Sequence, residues 1–385
     1  MRVLVTGGAG FIGSFVVDRL LAAGHTVRVL DNLDPQVHPE GAPAYLAAGA
    51  ELVRGDVRDR GLLERAVVDA DAVVHAAAAV GVGQSLYRVE HYVDVNVRGT
   101  ATLLDCLQHR ASHLRKLLVF TSMTGYGEGV YRRPSDGRLL RVETRTEADI
   151  ARHGWEPVCP ETGEPLEPAP TPEDSALLAR NVYALTKRWQ EELALSLAGV
   201  YGFPVVCLRL FNVYGPRQSL SNPYTGVLAI FLARLLAGEQ PVVYEDGGQS
   251  RDFISVHDVA DTALRVLETD AADGQVMNLG SGEPRRIADI GRALATLTGR
   301  EDLPPRVTGQ FRRGDIRHCT ADVSRARSRL GFVPRVAWED GLRELLAWCR
   351  GAASADHFVQ AQHELESRGL LSGRLEPPAG GGSPA

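Results

Sequence analysis

Residues 2–13 read RVLVTGGAGFIG: a β-branched run, then glycines at 7, 8, 10 and 13. Phe11, Ile12, Phe15, Val16, Leu20 and Leu21 follow at helical spacing up to Gly24, the residue type that ends helices. The stretch is therefore a strand, a glycine turn and a helix. Such a turn lets backbone approach a pyrophosphate, whose charge the N–H groups at the helix start stabilise. The next apolar run, TVRVLD at 26–31, ends in Asp31, 31 − 13 = 18 residues past the last glycine. A carboxylate there holds the adenosine ribose hydroxyls and repels a 2′-phosphate, so the expected cofactor is NAD in preference to NADP. Asp56, ending a third run, suits either an adenine contact or an ordinary helix cap.

Further apolar runs at 51–56, 71–79, 117–122 and 204–210 alternate with helical stretches at 93–109 and 182–200. Continuous apolar strands between helices make an α/β protein, a doubly wound parallel sheet of Rossmann type covered on both faces. This domain is expected over 1–212. Its pattern lapses between Gly127 and Glu173 into Pro-rich, charged sequence, too long for an ordinary connection, read as a lobe inserted at 130–175. After 212 the alternation is less regular, with strand-like PVVYED at 241–246 and a helix near 286–297. A smaller substrate domain is expected over 213–350, interleaved with the first through a returning segment at about 252–276. Residues 351–385 read as a helical, then disordered tail, because SGRLEPPAGGGSPA from 372 is mostly Pro, Gly and Ser.

The 385 residues carry 42 basic and 48 acidic side chains, a formal charge of −6. That balance argues against a nucleic-acid partner, whose phosphates need a cationic face. No apolar run is long enough to span a bilayer. The N-terminus opens like a signal peptide but breaks at Gly7, and reads as a strand. Five scattered cysteines without a CxxC pair indicate neither a disulfide framework nor a cysteine zinc site, and fit a reducing cytoplasm. His109 and His113 lie one helical turn apart without a third ligand, so no metal is expected. Lysine occurs only at 116 and 187.

That scarcity gives weight to Tyr183-Ala184-Leu185-Thr186-Lys187, which puts a phenol and an ammonium on one helix face. A nearby cation favours phenolate and moves tyrosine toward a general base. The run LLVFTS delivers Ser122 to the carboxyl end of its strand, where ligands of doubly wound sheets bind.

With these residues the sequence resembles the extended short-chain dehydrogenase/reductases that act on nucleotide-sugars, over most of residues 1–348. The resemblance is carried by GGAGFIG (7–13), DN (31–32), GDVRD (55–59), HAAA (75–78), NVRGT (96–100), TSMTGYGEG (121–129), YALTK (183–187), FNVYGPRQ (211–218), RDFISVHD (251–258) and FRRGD (311–315). It implies a catalytic triad of Ser122, Tyr183 and Lys187. It further implies NAD contacts from Gly7, Gly10, Phe11, Ile12, Gly13, Asp31, Asn32, Asp56, Val57, Ala76, Asn96, Tyr183 and Lys187. For the substrate, a dTDP- or UDP-hexose, it implies Ser122, Thr124, Asn212, Arg251, Arg312 and Asp315. Without it, Arg251 and Arg312 would read as surface ion-pair residues.

Family members that dehydrate or decarboxylate the sugar place an acid just after the catalytic hydroxyl. Here Met123 and Thr124 stand there, with Glu128 the nearest carboxylate, which favours 4-epimerisation. The combination of SMTGYGEG, the lobe and FNVYGPRQSLSNPYTG looks like the dTDP-L-rhamnose 4-epimerase branch. Relatives of that branch resemble one another in CPxCG knuckles within the lobe. The equivalents here, Cys159-Pro160-Glu161-Thr162-Gly163 and Arg133-Pro134-Ser135-Asp136-Gly137, hold one soft ligand and no zinc site. The lobe is expected to be held by other contacts or to be mobile, and to affect substrate choice more than stability. The family also implies a homodimer through the 182–200 helix.

Overall fold

In a computed structural model of the chain, described for residues 1–219, 226–351 and 358–374, the glycine turn opens a seven-stranded sheet. Its strands are Arg2–Thr6 (β1), Thr26–Asp31 (β2), Glu51–Arg54 (β3), Ala72–His75 (β4), Lys116–Ser122 (β5), Val205–Leu210 (β6) and Gln275–Leu279 (β7). Their order is β7-β6-β5-β4-β1-β2-β3, and every pairing is parallel. The order reverses direction between β1 and β4, and ligands of such sheets bind at that switch point, outside the carboxyl ends. Register places Thr6 beside both Leu30 and His75, and Ser122 beside Leu210, so the glycine turn, Asp31 and Ser122 share one edge of the sheet. Val3, Val5, Val29, Val74, Leu118 and Leu208 are buried in one cluster with Phe15, Val16 and Val259 from covering helices, as the doubly wound expectation requires.

The chain returns to this layer after strand Ser250–Ser255 of a second sheet. Helix Val256–Glu268 packs on Phe11–Ala22, with His257 edge-on to Phe15 at 4.9 Å, and β7 then adds the sheet's last strand up to Leu279.

A second sheet runs, in spatial order, Asn212–Tyr214, Ser250–Ser255, His318–Ala321, Glu167–Thr171, Val130–Arg132 and Leu139–Arg141. The lobe, assigned from sequence to the first domain, thus supplies three strands to this other sheet. Thr320 pairs with Pro170 and Ala321 with Thr171. Pro168 and Pro170 disguise the strand in the sequence, since proline cannot donate to a ladder.

The Pro-rich tail also departs from expectation at its start. Leu371–Arg374 forms a strand antiparallel to Gln310–Arg312, with Leu371 7% exposed and Ser372 Oγ accepting from the Phe311 N–H at 2.8 Å. A buried leucine and a free strand edge outweigh the local composition there. The rest of the expected disordered tail, 375–385, and residues 220–225 of the SLSNPYTG segment lie outside the described residues. Among the described residues no helix is long and apolar enough to cross a membrane, and no group of histidine, cysteine or acidic side chains could hold a metal.

Candidate active site

Helix Val182–Tyr201 is capped by Asn181, whose side chain accepts from the Ala184 N–H at 2.9 Å, and ends at Gly202 in the left-handed region. A helix lying on a sheet normally buries an apolar stripe. Here the buried stripe is Tyr183, Thr186, Lys187, Gln190 and Glu191. Each polar group buried this way must find a partner. Lys187 Nζ donates to the Phe120 carbonyl at 3.0 Å, Thr186 Oγ1 to the Tyr183 carbonyl, and Gln190 Nε2 to Thr100 Oγ1 at 2.8 Å. Glu191 takes both arms of Arg209, at 2.9 and 2.6 Å, and the Thr121 hydroxyl at 3.1 Å.

Ser122 and Tyr183 meet at the top of this helix. Burial pushes the Tyr183 phenol up to about 12, opposed by a hydrogen bond with Ser122, which is the opposite direction to the one expected from a nearby ammonium. Burial likewise pushes the Lys187 ammonium down to about 7. Ser122 Oγ also accepts from Thr124, from its hydroxyl at 3.0 Å and its N–H at 3.3 Å. Ser85 Oγ, a residue without sequence signal, accepts the Tyr183 N–H at 3.1 Å.

The glycine turn fits a dinucleotide on the protein's side. A Cβ at Gly7 would stand 2.6 Å from Ala77 N, and one at Gly13 would stand 2.1 Å from Gly7 O. Those two glycines close the turn onto the Ala76–Ala77 backbone and onto itself. A Cβ at Gly10 would meet only Gly7 O, at 3.4 Å, so the turn is open on that side. No side chain caps the helix that begins at Phe11, which leaves its first N–H groups for an anion. Asp31 is buried and accepts from Ala9 N at 3.0 Å and Leu33 N at 2.9 Å, fixing the turn and presenting its remaining lone pairs beyond β2. Asn32 Nδ2 donates to Asp56 at 3.1 Å. Asp56 is resisted by burial but held below the usual carboxylate range by Arg58, which bonds it through Nε and Nη2. Val57 is core, packed where a Gly99 side chain would otherwise stand.

Residues 3–149 and 159–280 match the family described as the NAD dependent epimerase/dehydratase family. The chain belongs to that family. It is 36% identical to a dTDP-L-rhamnose 4-epimerase of Burkholderia thailandensis, over 90% of this chain and 94% of the relative. Among solved structures, it matches a UDP-glucose 4-epimerase of Thermotoga maritima with UDP-glucose at TM-score 0.73 and 29% identity, covering 91% of this chain and 99% of that one. A Thermus thermophilus UDP-glucose 4-epimerase complexed with NAD matches at TM-score 0.69 and 30% identity, covering 92% and 100%. The chain is an NAD-dependent enzyme of the epimerase/dehydratase family, and bound NAD supplies it with a reversible hydride acceptor.

In this epimerase/dehydratase the remaining expected residues fall into two groups. Asn96 is 0% exposed, within a π-helical turn at Val93–Arg98, and spends its amide on Ala79 N and O and on Thr186 Oγ1. It ties the segment after β4 to the Tyr183 helix, with no atom left at the surface. His75 does similar work, bonding Thr6 Oγ1 at 2.7 Å and Thr100 Oγ1 at 2.9 Å, its basicity lowered to about 3 by burial and then by Lys187. On the opposite side, Asp315 gathers two guanidinium groups: Oδ1 accepts from Arg251 at 3.0 Å and Oδ2 from Arg312 at 2.7 Å. Burial works against that carboxylate, but the two arginines hold it down at about 2. Asn212 Nδ2 donates to the Asp252 carbonyl at 2.9 Å, beside the start of this cluster.

Glu128 is sealed. At 0% exposure it accepts from Arg317 N at 2.9 Å through each oxygen and from the Tyr131 hydroxyl at 2.8 Å. The sequence gives no sign of Arg209 and Arg317 as buried, because with 42 basic residues, nearly all arginine, nothing local marks which guanidinium lies inside. A polar residue at a stripe position of a sheet-covering helix was the one available signal, and it points to Gln190 and Glu191. At the knuckle positions, Arg133 bonds Glu161 at 2.8 Å and Asp136, and reaches Cys159 Sγ at 3.8 Å, so ion pairs cross-link the lobe.

Proposed function

We propose that the protein is a nucleotide-sugar 4-epimerase acting on a dTDP-linked 6-deoxyhexose such as dTDP-L-rhamnose. The observation that carries the reaction class is the set of side chains after Ser122. Met123 is buried apolar, Thr124 is bonded to Ser122, and the Glu128 carboxylate is consumed by Arg317 and Tyr131. None of these can carry the extra proton that elimination of water needs, whereas 4-epimerisation needs a single base at O4.

Tyr183 takes the O4 proton and returns it after the 4-keto sugar has turned over. Ser122 hydrogen-bonds the same oxygen and holds it toward the phenol. Lys187 in its ammonium form stabilises the phenolate within the buried site. Arg251 and Arg312 grip the diphosphate, for which paired guanidinium forks are suited. The choice of dTDP and deoxyhexose follows the Burkholderia relative; a UDP-hexose is the alternative substrate. Leu185 and Trp189, 36% and 42% exposed one turn apart on the catalytic helix, support a homodimer through that face. Five buried free thiols support a reducing cytoplasm.

The test is turnover of dTDP-L-rhamnose, dTDP-glucose and UDP-glucose in D₂O without added cofactor, followed by mass spectrometry. The expected product has the substrate's mass and no deuterium at C5. Loss of water or carbon dioxide would overturn epimerisation; conversion of UDP-glucose alone would overturn the nucleotide assignment.

A further inference from the structure

Beneath the Arg251–Asp315–Arg312 cluster lies a second set of charges that the reaction does not use. Arg317, 1% exposed, reaches Glu245 at 2.7 Å and Asp246 at 2.6 Å through Nη1, and Glu156 at 2.9 Å through Nε. Arg145 grips the same Glu245 at 3.2 and 3.0 Å, and its Nε stands 3.6 Å from Glu128. Glu128, Arg145 and Glu156 come from the lobe and its approach, Glu245 and Arg317 from the substrate side.

These residues bracket one loop. At its far end the Glu128 carboxylate holds Arg317 N, and the Arg317 and Ile316 carbonyls in turn accept from Arg251 at 3.0 and 2.7 Å. At its near end Glu245 N donates to the Gln310 carbonyl at 2.8 Å, two residues before Arg312. Glu245 does so from a left-handed conformation, φ 54°, a strained position for a side-chain-bearing residue that persists where surroundings over-determine it. Burying four charges in this way contributes little net stability compared with an apolar core of the same volume. What it does fix is position.

We infer that Glu128, Arg145 and Glu245 are positioning residues for phosphate recognition: they hold loop 311–316 so that Arg251 and Arg312 face the same diphosphate. The inference rests on the proposed role of those two arginines. Through Glu128, six residues beyond Ser122, the segment that carries the catalytic hydroxyl also sets where the diphosphate is gripped. Substrate affinity is then governed in part from Arg145 of the lobe and from Glu128 just before it, through the segment that carries Arg312.

The test is Glu128→Gln in the full-length enzyme, which keeps the shape but removes the charge and one acceptor from the Arg317 N–H. The expected result is a KM for the nucleotide-sugar raised about tenfold, an equal rise in the Kd of the free nucleoside diphosphate, kcat within about twofold and unchanged NAD binding. An unchanged KM and Kd in folded enzyme overturns the inference, as does a fall in kcat at constant KM. Should that variant fail to fold, Arg145→Lys, which keeps the charge but loses the two-armed grip on Glu245, must raise KM about threefold; no rise overturns it equally. Arg312→Ala separates the underlying reading. If Arg312→Ala weakens nucleoside diphosphate binding and Glu128→Gln does not, the positioning role fails alone; if Arg312→Ala has no effect, the diphosphate assignment fails with it.

Discussion

Replacing Lys187 with Met should make the folded protein more stable and the enzyme nearly inactive, with a stability gain that depends on pH. The Lys187 ammonium is buried, and burial lowers its pKa from 10.5 to about 7. Between those values the unfolded chain binds a proton that the folded chain does not, so wild-type stability rises with pH across that window. At about 1.4 kcal/mol per pKa unit, the lysine costs the folded state on the order of 4 kcal/mol at pH 7 and about 2 kcal/mol at pH 9. Methionine has no such cost. It does lose the bond from Nζ to the Phe120 carbonyl, about 1–3 kcal/mol, but that loss is the same at both pH values. Tyr183, at about 12, does not titrate in the window. The measurement is urea unfolding of both proteins at pH 7 and pH 9. The variant's advantage should shrink by about 2 kcal/mol on going to pH 9, and an equal difference at the two pH values would refute the buried-charge argument.

Tyr183→Phe should lower turnover on the order of 10²-fold or more while NAD binding, measured by calorimetry, stays intact. NAD(H) should bind in preference to NADP(H), because a 2′-phosphate would meet the buried Asp31 carboxylate; equal affinities would remove Asp31 from ribose recognition. Replacing residues 132–170 with a short Gly/Ser linker should lower the melting temperature and abolish nucleotide-sugar binding together, since the cut removes all of strand Leu139–Arg141, nearly all of Glu167–Thr171, the end of Val130–Arg132, and Arg145. A normal melting curve with altered substrate choice would restore the picture of a detachable lobe.

The first domain was readable because its rules are local. A β-branched run, glycines at fixed spacing and an apolar 3.6-residue period lie within some twenty residues of one another, and Asp31, Ser122, Tyr183 and Lys187 follow from their places on those elements. The second sheet was not readable, because its strands gather from distant parts of the chain. Glu128 meets Arg317 across 189 residues of sequence and Glu245 meets Arg317 across 72, and nothing near either residue marks the partner. Proline at 168 and 170 further removed the ladder signal from a strand that is central to that sheet. Asn96 shows the opposite limit: its position was read from a motif, but its saturation by Ala79 and Thr186 required the fold.

The strand Leu371–Arg374 borders the strand that carries Arg312, which has a consequence for how the molecule is made. Synthesis runs from the N-terminus, so the glycine turn, β1 and β2 can assemble early, and the main sheet is complete once β7 has emerged. The edge beside Arg312 is covered by Leu371–Arg374, which emerges well after the main sheet's last strand. A chain interrupted after residue 351 would therefore hold its dinucleotide fold but leave Gln310–Arg312 without its antiparallel neighbour. Order around Arg312 is tied in this way to a strand supplied far along the chain, and a cut made before Leu371 would loosen the strand that carries Arg312 while sparing the main sheet.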